Sequence, residues 1–164
     1  MILDELEELF EDLDIDEPSL EQLNEMYEIY KSEICKIIFN GEQIVVNKNR
    51  SRHPICRGMN QSFEHIITRK SHHSGKRNFD NQRANRIHWI KPIIDNYEDS
   101  RVHYFEELNS DNQLQYFFYL YERDFIVILR ALPQGNMLIT SYYVDDYQKN
   151  YFKKKYEKYR DRIK

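Results

Sequence analysis

Residues 63–77 read FEHIITRKSHHSGKR. Three histidines (His65, His72, His73) and four cations (Arg69, Lys70, Lys76, Arg77) surround Ile66 and Ile67, with Glu64 as the one acid. The wider segment from Ile44 to Lys91 holds eleven Lys/Arg against two acids, Glu64 and Asp80, and five of the six histidines. Cations at this density repel one another until an anion arrives, and phosphate is the anion that cells supply as a polymer. Histidine moves protons near pH 7, and guanidinium or ammonium groups hold the charge that builds on a reacting phosphate. Together they suit metal-free RNA cleavage. In that reaction the 2′-hydroxyl attacks the adjacent phosphate, a base takes its proton, cations stabilise the added charge, and an acid protonates the leaving oxygen.

Particular residues fit these roles, and each also fits a plainer one. His65 sits among Phe63, Ile66 and Ile67, which can fix its ring for acid–base work or keep it as a structural histidine. His72 and His73 adjoin Ser74-Gly75, the signature of a solvent-exposed loop. At 100° per residue Arg83, Arg86, Ile87, Ile90 and Ile94 share one helical face, while Trp89 points away from it. A guanidinium turned toward a core requires a carboxylate such as Glu107 or Asp124, or else a phosphate, to meet its donor fork. Thr140 and Tyr142 alternate onto one strand face, where a hydroxyl pair can position a phosphate oxygen; strand propensity alone also favours both. His65, Arg83, Thr140 and Tyr142 are thus the catalytic candidates, and Arg69, Lys70, Lys76, Arg77 and Arg86 the nucleic-acid contacts. Cys56, His65, His72 and His73 lack the CxxC or HExxH spacing of a metal site, so no metal is expected. No P-loop, GxGxxG or GxSxG motif occurs, and no cofactor is expected.

The elements that must position these residues follow from periodicity. Leu3, Leu6, Leu9 and Leu13 predict a short first helix. Leu20, Leu23, Tyr27, Tyr30, Ile34 and Ile37 predict a second, with Pro18 in its first turn and Asn40-Gly41 as its stop. QIVVN (43–47) reads as a short strand, and residues 48–78 as irregular around the apolar island 63–67. A central helix is expected from 78–80 to about 96, kinked or divided at Pro92. The runs 113–121, 124–132 and 136–144 are aromatic and β-branched with turn-sized gaps, an antiparallel meander. A basic helix with a stripe of Phe152, Tyr156, Tyr159 and Ile163 closes the chain. Helices first, then a sheet and a closing helix, make the fold α+β. The division expected is an acidic helical region over 1–40, a nuclease-like domain over 41–146, and the basic helix over 147–164.

Composition bounds the class. The chain has 164 residues and a net charge of −4, but residues 1–33 carry 13 of the 28 acids and one of the 24 bases, Lys31. The remainder is therefore net basic by 8, a polarity that suits nucleic-acid contact with an acidic segment able to shield the site. A solvated acidic helix without regulatory purpose satisfies the same pattern. No apolar run approaches 18 residues and the N-terminus lacks a secretory pattern. Two cysteines form no disulfide framework, so a reduced cytoplasm and no membrane partner are expected.

FEHIIT, then the basic loop, then FDNQRANRIHWIKPIIDN, then strands ending in LITSYYVD form a combination that resembles a known group. It is similar to the phage-associated branch of the Barnase–EndoU–colicin–RelE-like (BECR) ribonuclease superfamily, with its pattern F-x-x-x-R-A-x-R-I-x-W-I and a last strand like v-T-x-Y-Y. Phe79, Arg83, Ala84, Arg86, Ile87, Trp89 and Ile90 carry the match with Thr140, Tyr142 and Tyr143, over roughly residues 55–145. Ser141 stands where an alanine is expected. The resemblance implies a metal-independent toxin-type RNA endonuclease, with helices on one face of a four- or five-stranded antiparallel sheet. RNA and a neutralising antitoxin or immunity protein are the implied partners. A non-catalytic nucleic-acid binder would keep most of these residues, and a third reading is an interaction module using the acidic helices. The enzyme reading requires His65, Arg83 and Thr140 to line one site.

Overall fold

A computed structural model describes residues 2–160 and is α+β. Its six-stranded sheet runs in the order β1-β2-β8-β7-β6-β5. Those strands are β1 (Ile38–Phe39), β2 (Glu42–Val45), β5 (Val102–Leu108), β6 (Leu114–Leu120), β7 (Phe125–Ala131) and β8 (Asn136–Tyr143). Strands β5 to β8 form an antiparallel meander, whereas β2 lies parallel to β8, so the sheet is mixed. Two of its strands escape the sequence pattern. β5 is interrupted by His103 and by consecutive Glu106 and Glu107 and lacks a continuous apolar run, and β1 is two residues long.

One face of the sheet carries Tyr104, Tyr116, Phe118, Phe125, Val127 and Leu129 into the main core. That core also takes Leu23, Met26 and Tyr30 of α1 (Leu20–Ser32), Phe63, Ile66 and Ile67 of α2 (Gln61–Ile67), and Ile90, Ile93 and Ile94 of α4 (Ile90–Asp95). The other face, with Phe105, Phe117, Tyr119, Ile126 and Ile128, packs on Phe152 of α5 (Asp146–Tyr159). Burial on both faces explains why β6 and β7 read as continuous apolar runs rather than alternations. His103 of β5 lies between the rings of Tyr121 and Tyr156, each 3.9 Å away, and ties α5 to the sheet. Ile163 lies outside the described residues.

Several expected elements take another form. The first helix is a 3-10 turn, Ile2–Glu5, followed by irregular chain, because backbone groups of residues 6–10 bond Asn85, His88, Trp89 and Arg123 instead of one another. α1 starts from Ser19, whose hydroxyl accepts from Gln22 N–H while the Gln22 side chain accepts from Ser19 N–H; Pro18 lies outside the helix. Asn40 (φ 54°) and Gly41 (φ 74°) are the turn of the β1–β2 hairpin rather than a helix stop. Within 48–78, α2 leads into a second, two-stranded sheet, β3 (Thr68–Lys70) with β4 (Arg77–Phe79).

The central helix is divided near Asn85 into α3 (Asn81–Ala84) and, beyond a 3-10 turn at Ile87–Trp89, α4. Asn85 is buried and bonds the N-terminal segment. Its carbonyl accepts from Leu9 N–H (2.9 Å), its Oδ1 accepts from Phe10 N–H (2.7 Å), and its Nδ2 donates to the Phe10 carbonyl (2.9 Å). Pro92 falls in the first turn of α4, where a missing N–H is harmless. The 3-10 step also rotates Trp89 into the core beside Phe125, rather than away from it. The Glu7 carbonyl accepts from both Trp89 Nε1 (2.9 Å) and His88 Nε2 (2.7 Å).

Gly135 and Asn136 fasten the hairpin to β8. Gly135 has φ 95°, and a Cβ there would sit 2.5 Å from Val45 Cγ2. Buried Asn136 donates to the carbonyls of Phe39 (2.9 Å) and Glu42 (3.1 Å). Asn136→Ala leaves both carbonyls without that donor and is expected to cost about 1–3 kcal/mol in urea unfolding. A second expectation concerns acid. Burial, reinforced by Arg86, holds His88 below the ordinary imidazole value of 6.5; burial, reinforced by Arg160, does the same to His103. The unfolded chain therefore binds these protons more readily, and stability falls as pH drops below 6.5. Denaturant midpoints measured across pH 5–8 check this, and His103→Phe is expected to flatten the decline.

Candidate functional site

β2 pairs with β8 only at Asn136 and Met137. Beyond that point the outer edge of β8 has no strand partner among the described residues, and α2 and α3 pack beside it. Where they diverge from the start of α5 a cleft of about 410 Å³ opens. His65, Arg69, Lys70, His72, Arg77, Arg83, Thr140 and Tyr142 all line it. The four catalytic candidates therefore share one cavity with three of the five expected nucleic-acid contacts.

Each side chain is held for a local reason. On α2 the buried Phe63, Ile66 and Ile67 anchor one face and leave His65 more than half exposed to the cleft. Glu64 turns inward, where Ser51 Oγ donates to it at 2.6 Å. Thr68 ends the helix by donating from its hydroxyl to the Glu64 carbonyl (2.6 Å), a habit of Thr four residues downstream. The same hydroxyl accepts from Arg77 Nε (2.8 Å). The Thr68 carbonyl then accepts from both Arg77 Nη2 (3.0 Å) and Arg83 Nη1 (3.2 Å). One neutral backbone oxygen thus holds two guanidinium groups side by side.

Their compensation by carboxylates is incomplete. Asp80 caps α3, its Oδ1 accepting from Gln82 N–H (3.0 Å) and Arg83 N–H (3.1 Å), and only its Oδ2 faces Arg83, 3.5 Å from Nε. Glu64 stands 3.9 Å from Arg77 Nε. Glu107 and Asp124, the acids expected for Arg83, pair with Lys155 and Lys149 instead. Arg83 Nε is buried with no acceptor. Burial depresses the Arg83 pKa, Asp80 opposes this, and Arg77 and Arg69 add repulsion. Among the lining residues four Lys/Arg face two acids, Asp80 and Asp145. An anion in the cleft would relieve that imbalance.

The far wall depends on an irregularity in β8. Thr140 pairs with Ile128 and Leu138 with Leu129, so Ile139 is an extra residue. This bulge puts consecutive Ile139 and Thr140 on the cleft wall. Tyr142 lies under the Arg83 guanidinium, 5.5 Å from ring centre to Cζ, and burial raises its pKa to about 12 although Arg83 opposes the rise. It therefore stays a hydrogen-bond donor at neutral pH. Partial burial and then the Arg77 charge lower the His65 pKa, against the pull of Glu64 at 3.8 Å. The neutral imidazole that results can accept a proton.

Two expected contacts lie elsewhere. Arg86 bonds Glu8 (3.2 Å) and the Gln82 carbonyl (2.9 Å) and stacks on Trp89 and Tyr143, because the chain break at Asn85 turns it toward the N-terminal segment. Lys76 lines a hollow on the other side of the β3–β4 hairpin. Of the acidic segment, Asp4 pairs with Arg101 and Glu8 with Arg86, and Ile15 borders a hollow next to the cleft with Arg69, Lys70 and His72. Sequence reasoning missed Thr68, Asp80, Gln82, Tyr147 and Gln148. Only Asp80 gave a signal, as a helix cap. Among the described residues no three His, Cys, Asp or Glu side chains converge as a metal-holding group, and no helix is long and apolar enough to cross a membrane.

In comparisons with known proteins, no family model, curated protein or solved structure matches this chain.

Inorganic phosphate is expected to bind the cleft and raise the melting temperature, by about 2–4 °C per kcal/mol of binding, against a chloride control of equal ionic strength. Arg83→Ala and Arg77→Ala should each abolish the phosphate-specific rise.

Proposed function

We propose that this protein is a metal-independent RNA endonuclease of toxin type, acting in the cytoplasm and related to the BECR ribonucleases. The observation that carries the reading is the cleft in which His65, Arg77, Arg83, Thr140 and Tyr142 meet around a positive charge that Glu64 and Asp80 only partly offset. The scissile phosphate sits against Arg77 and Arg83, whose free donors face its non-bridging oxygens. Both guanidinium groups are already fixed by the Thr68 carbonyl, so little reorganisation accompanies the growth of negative charge. Neutral His65 takes the 2′-hydroxyl proton. The Thr140 and Tyr142 hydroxyls orient the phosphate, and Tyr142 does so as a donor because it remains protonated. His72, on the same cleft, is placed to return a proton to the 5′-oxygen. Every step uses a side chain of this protein and needs no metal. A neutralising partner of toxin-type enzymes would act by covering this cleft.

The deciding experiment incubates purified protein with total RNA in EDTA. The expected products end in 2′,3′-cyclic phosphate, and a substrate with a 2′-deoxy sugar at the scissile position is expected to stay intact. His65→Ala and Arg83→Ala should each slow cleavage by about 100-fold or more. Intact RNA with wild type, or variants that cleave as fast as wild type, refutes the mechanism. Salt-sensitive binding of RNA that stays whole would identify a non-catalytic binder instead.

A further inference from the structure

The cleft continues into a second, smaller hollow. It has a volume of about 180 Å³ and lies between the end of β2, α2 and the first half of β8. His65, Ile139 and Thr140 border both spaces, so the two adjoin along these shared side chains. The chemistry differs sharply on the two sides. The cleft is cationic, whereas the hollow has walls of Val45, Val46, Ile66, Met137, Leu138 and Ile139 and no Lys, Arg, Asp or Glu among its lining residues. Val45 and Met137 are left 44% and 36% exposed, apolar surface that no described element covers.

The rim of this apolar slot is polar and partly unspent. Asn47 N–H donates to Ser62 Oγ (2.5 Å), and Asn47 Nδ2 donates to Gln61 Oε1 (3.1 Å). These bonds orient the Gln61 amide and leave its Nε2 donors available to a ligand, while the Ser62 hydroxyl is taken up by Tyr30. A flat ring system with hydrogen-bonding edges matches such a site, with its faces on aliphatic walls and its edge on a fixed amide. The volume lies below the roughly 300–1,000 Å³ of sites for larger ligands, and so suits one ring system rather than a whole nucleotide.

We infer that this hollow is a subsite for one nucleobase, belonging to the nucleotide whose phosphate occupies the adjoining cationic cleft. The inference rests on the ribonuclease reading for its substrate class. It assigns base preference to Gln61, a residue outside the phosphate machinery. The bulge at Ile139 is the structural link, because it lets consecutive residues serve the base wall and the phosphate wall.

Isothermal titration of the full chain with the four ribonucleoside 3′-monophosphates, ribose 5-phosphate and inorganic phosphate tests this. At least one nucleotide is expected to bind about tenfold or more tightly than ribose 5-phosphate, the measure of a modest apolar contact. Met137→Trp fills the slot from an exposed position and should bring that nucleotide to the level of ribose 5-phosphate while inorganic phosphate binds unchanged. Gln61→Leu should change the ranking among the four bases. Equal binding of nucleotides and ribose 5-phosphate overturns the inference, as does a nucleotide preference that survives Met137→Trp. Base-dependent binding lost in Met137→Trp, in a protein that leaves RNA whole, supports the subsite and removes only the cleavage step.

Discussion

The edge of β8 governs this molecule. A strand edge is a row of backbone donors and acceptors that must be paired, covered or wetted. β2 pairs only Asn136 and Met137, and the rest of the edge is met by α2 and α3, whose shape cannot follow a strand. The mismatch leaves a cleft whose walls come from segments far apart in sequence. The bulge at Ile139 then turns part of β8 toward it. Had β2 run the length of β8, the same residues would lie under a closed sheet.

Electrostatics gives the cleft its character. Two guanidinium groups share the Thr68 carbonyl, a neutral acceptor that positions charge without cancelling it. Each nearby carboxylate spends one oxygen elsewhere, Asp80 Oδ1 on the cap of α3 and Glu64 Oε1 on Ser51, and its second oxygen reaches a guanidinium only at 3.5 Å or 3.9 Å. Arg86, close to this pair in sequence, is drawn away from the cleft by Glu8 and two aromatic rings, although its Nε, like that of Arg83, is buried without a hydrogen-bond partner. The acidic N-terminal segment therefore helps to decide which arginine remains available.

The legible parts of the fold were those dominated by one local signal. The β6, β7 and β8 segments announced themselves through unbroken aromatic and β-branched runs, and α1 through its apolar spacing. β5 was not legible because His103 and the adjacent Glu106 and Glu107 leave it no continuous apolar run, and the β3–β4 hairpin because its strands are three residues of mostly polar side chains. The division at Asn85 depends on bonds to Leu9 and Phe10, about 75 residues away, which no local window contains.

By itself the sequence determined the α+β class and the concentration of cations and histidines in the middle of the chain, since composition and period depend only on neighbours along the backbone. It also named His65, Arg83, Thr140 and Tyr142 as groups able to do phosphate chemistry. Tertiary structure alone decided that these four border one cavity, that Arg77 joins them, and that Arg86 and Lys76 do not. The physical reason is that a guanidinium goes wherever its donors find acceptors. For Arg77 and Arg83 the acceptors belong to Thr68, nine and fifteen residues away, and for Arg86 the acid is Glu8, 78 residues away.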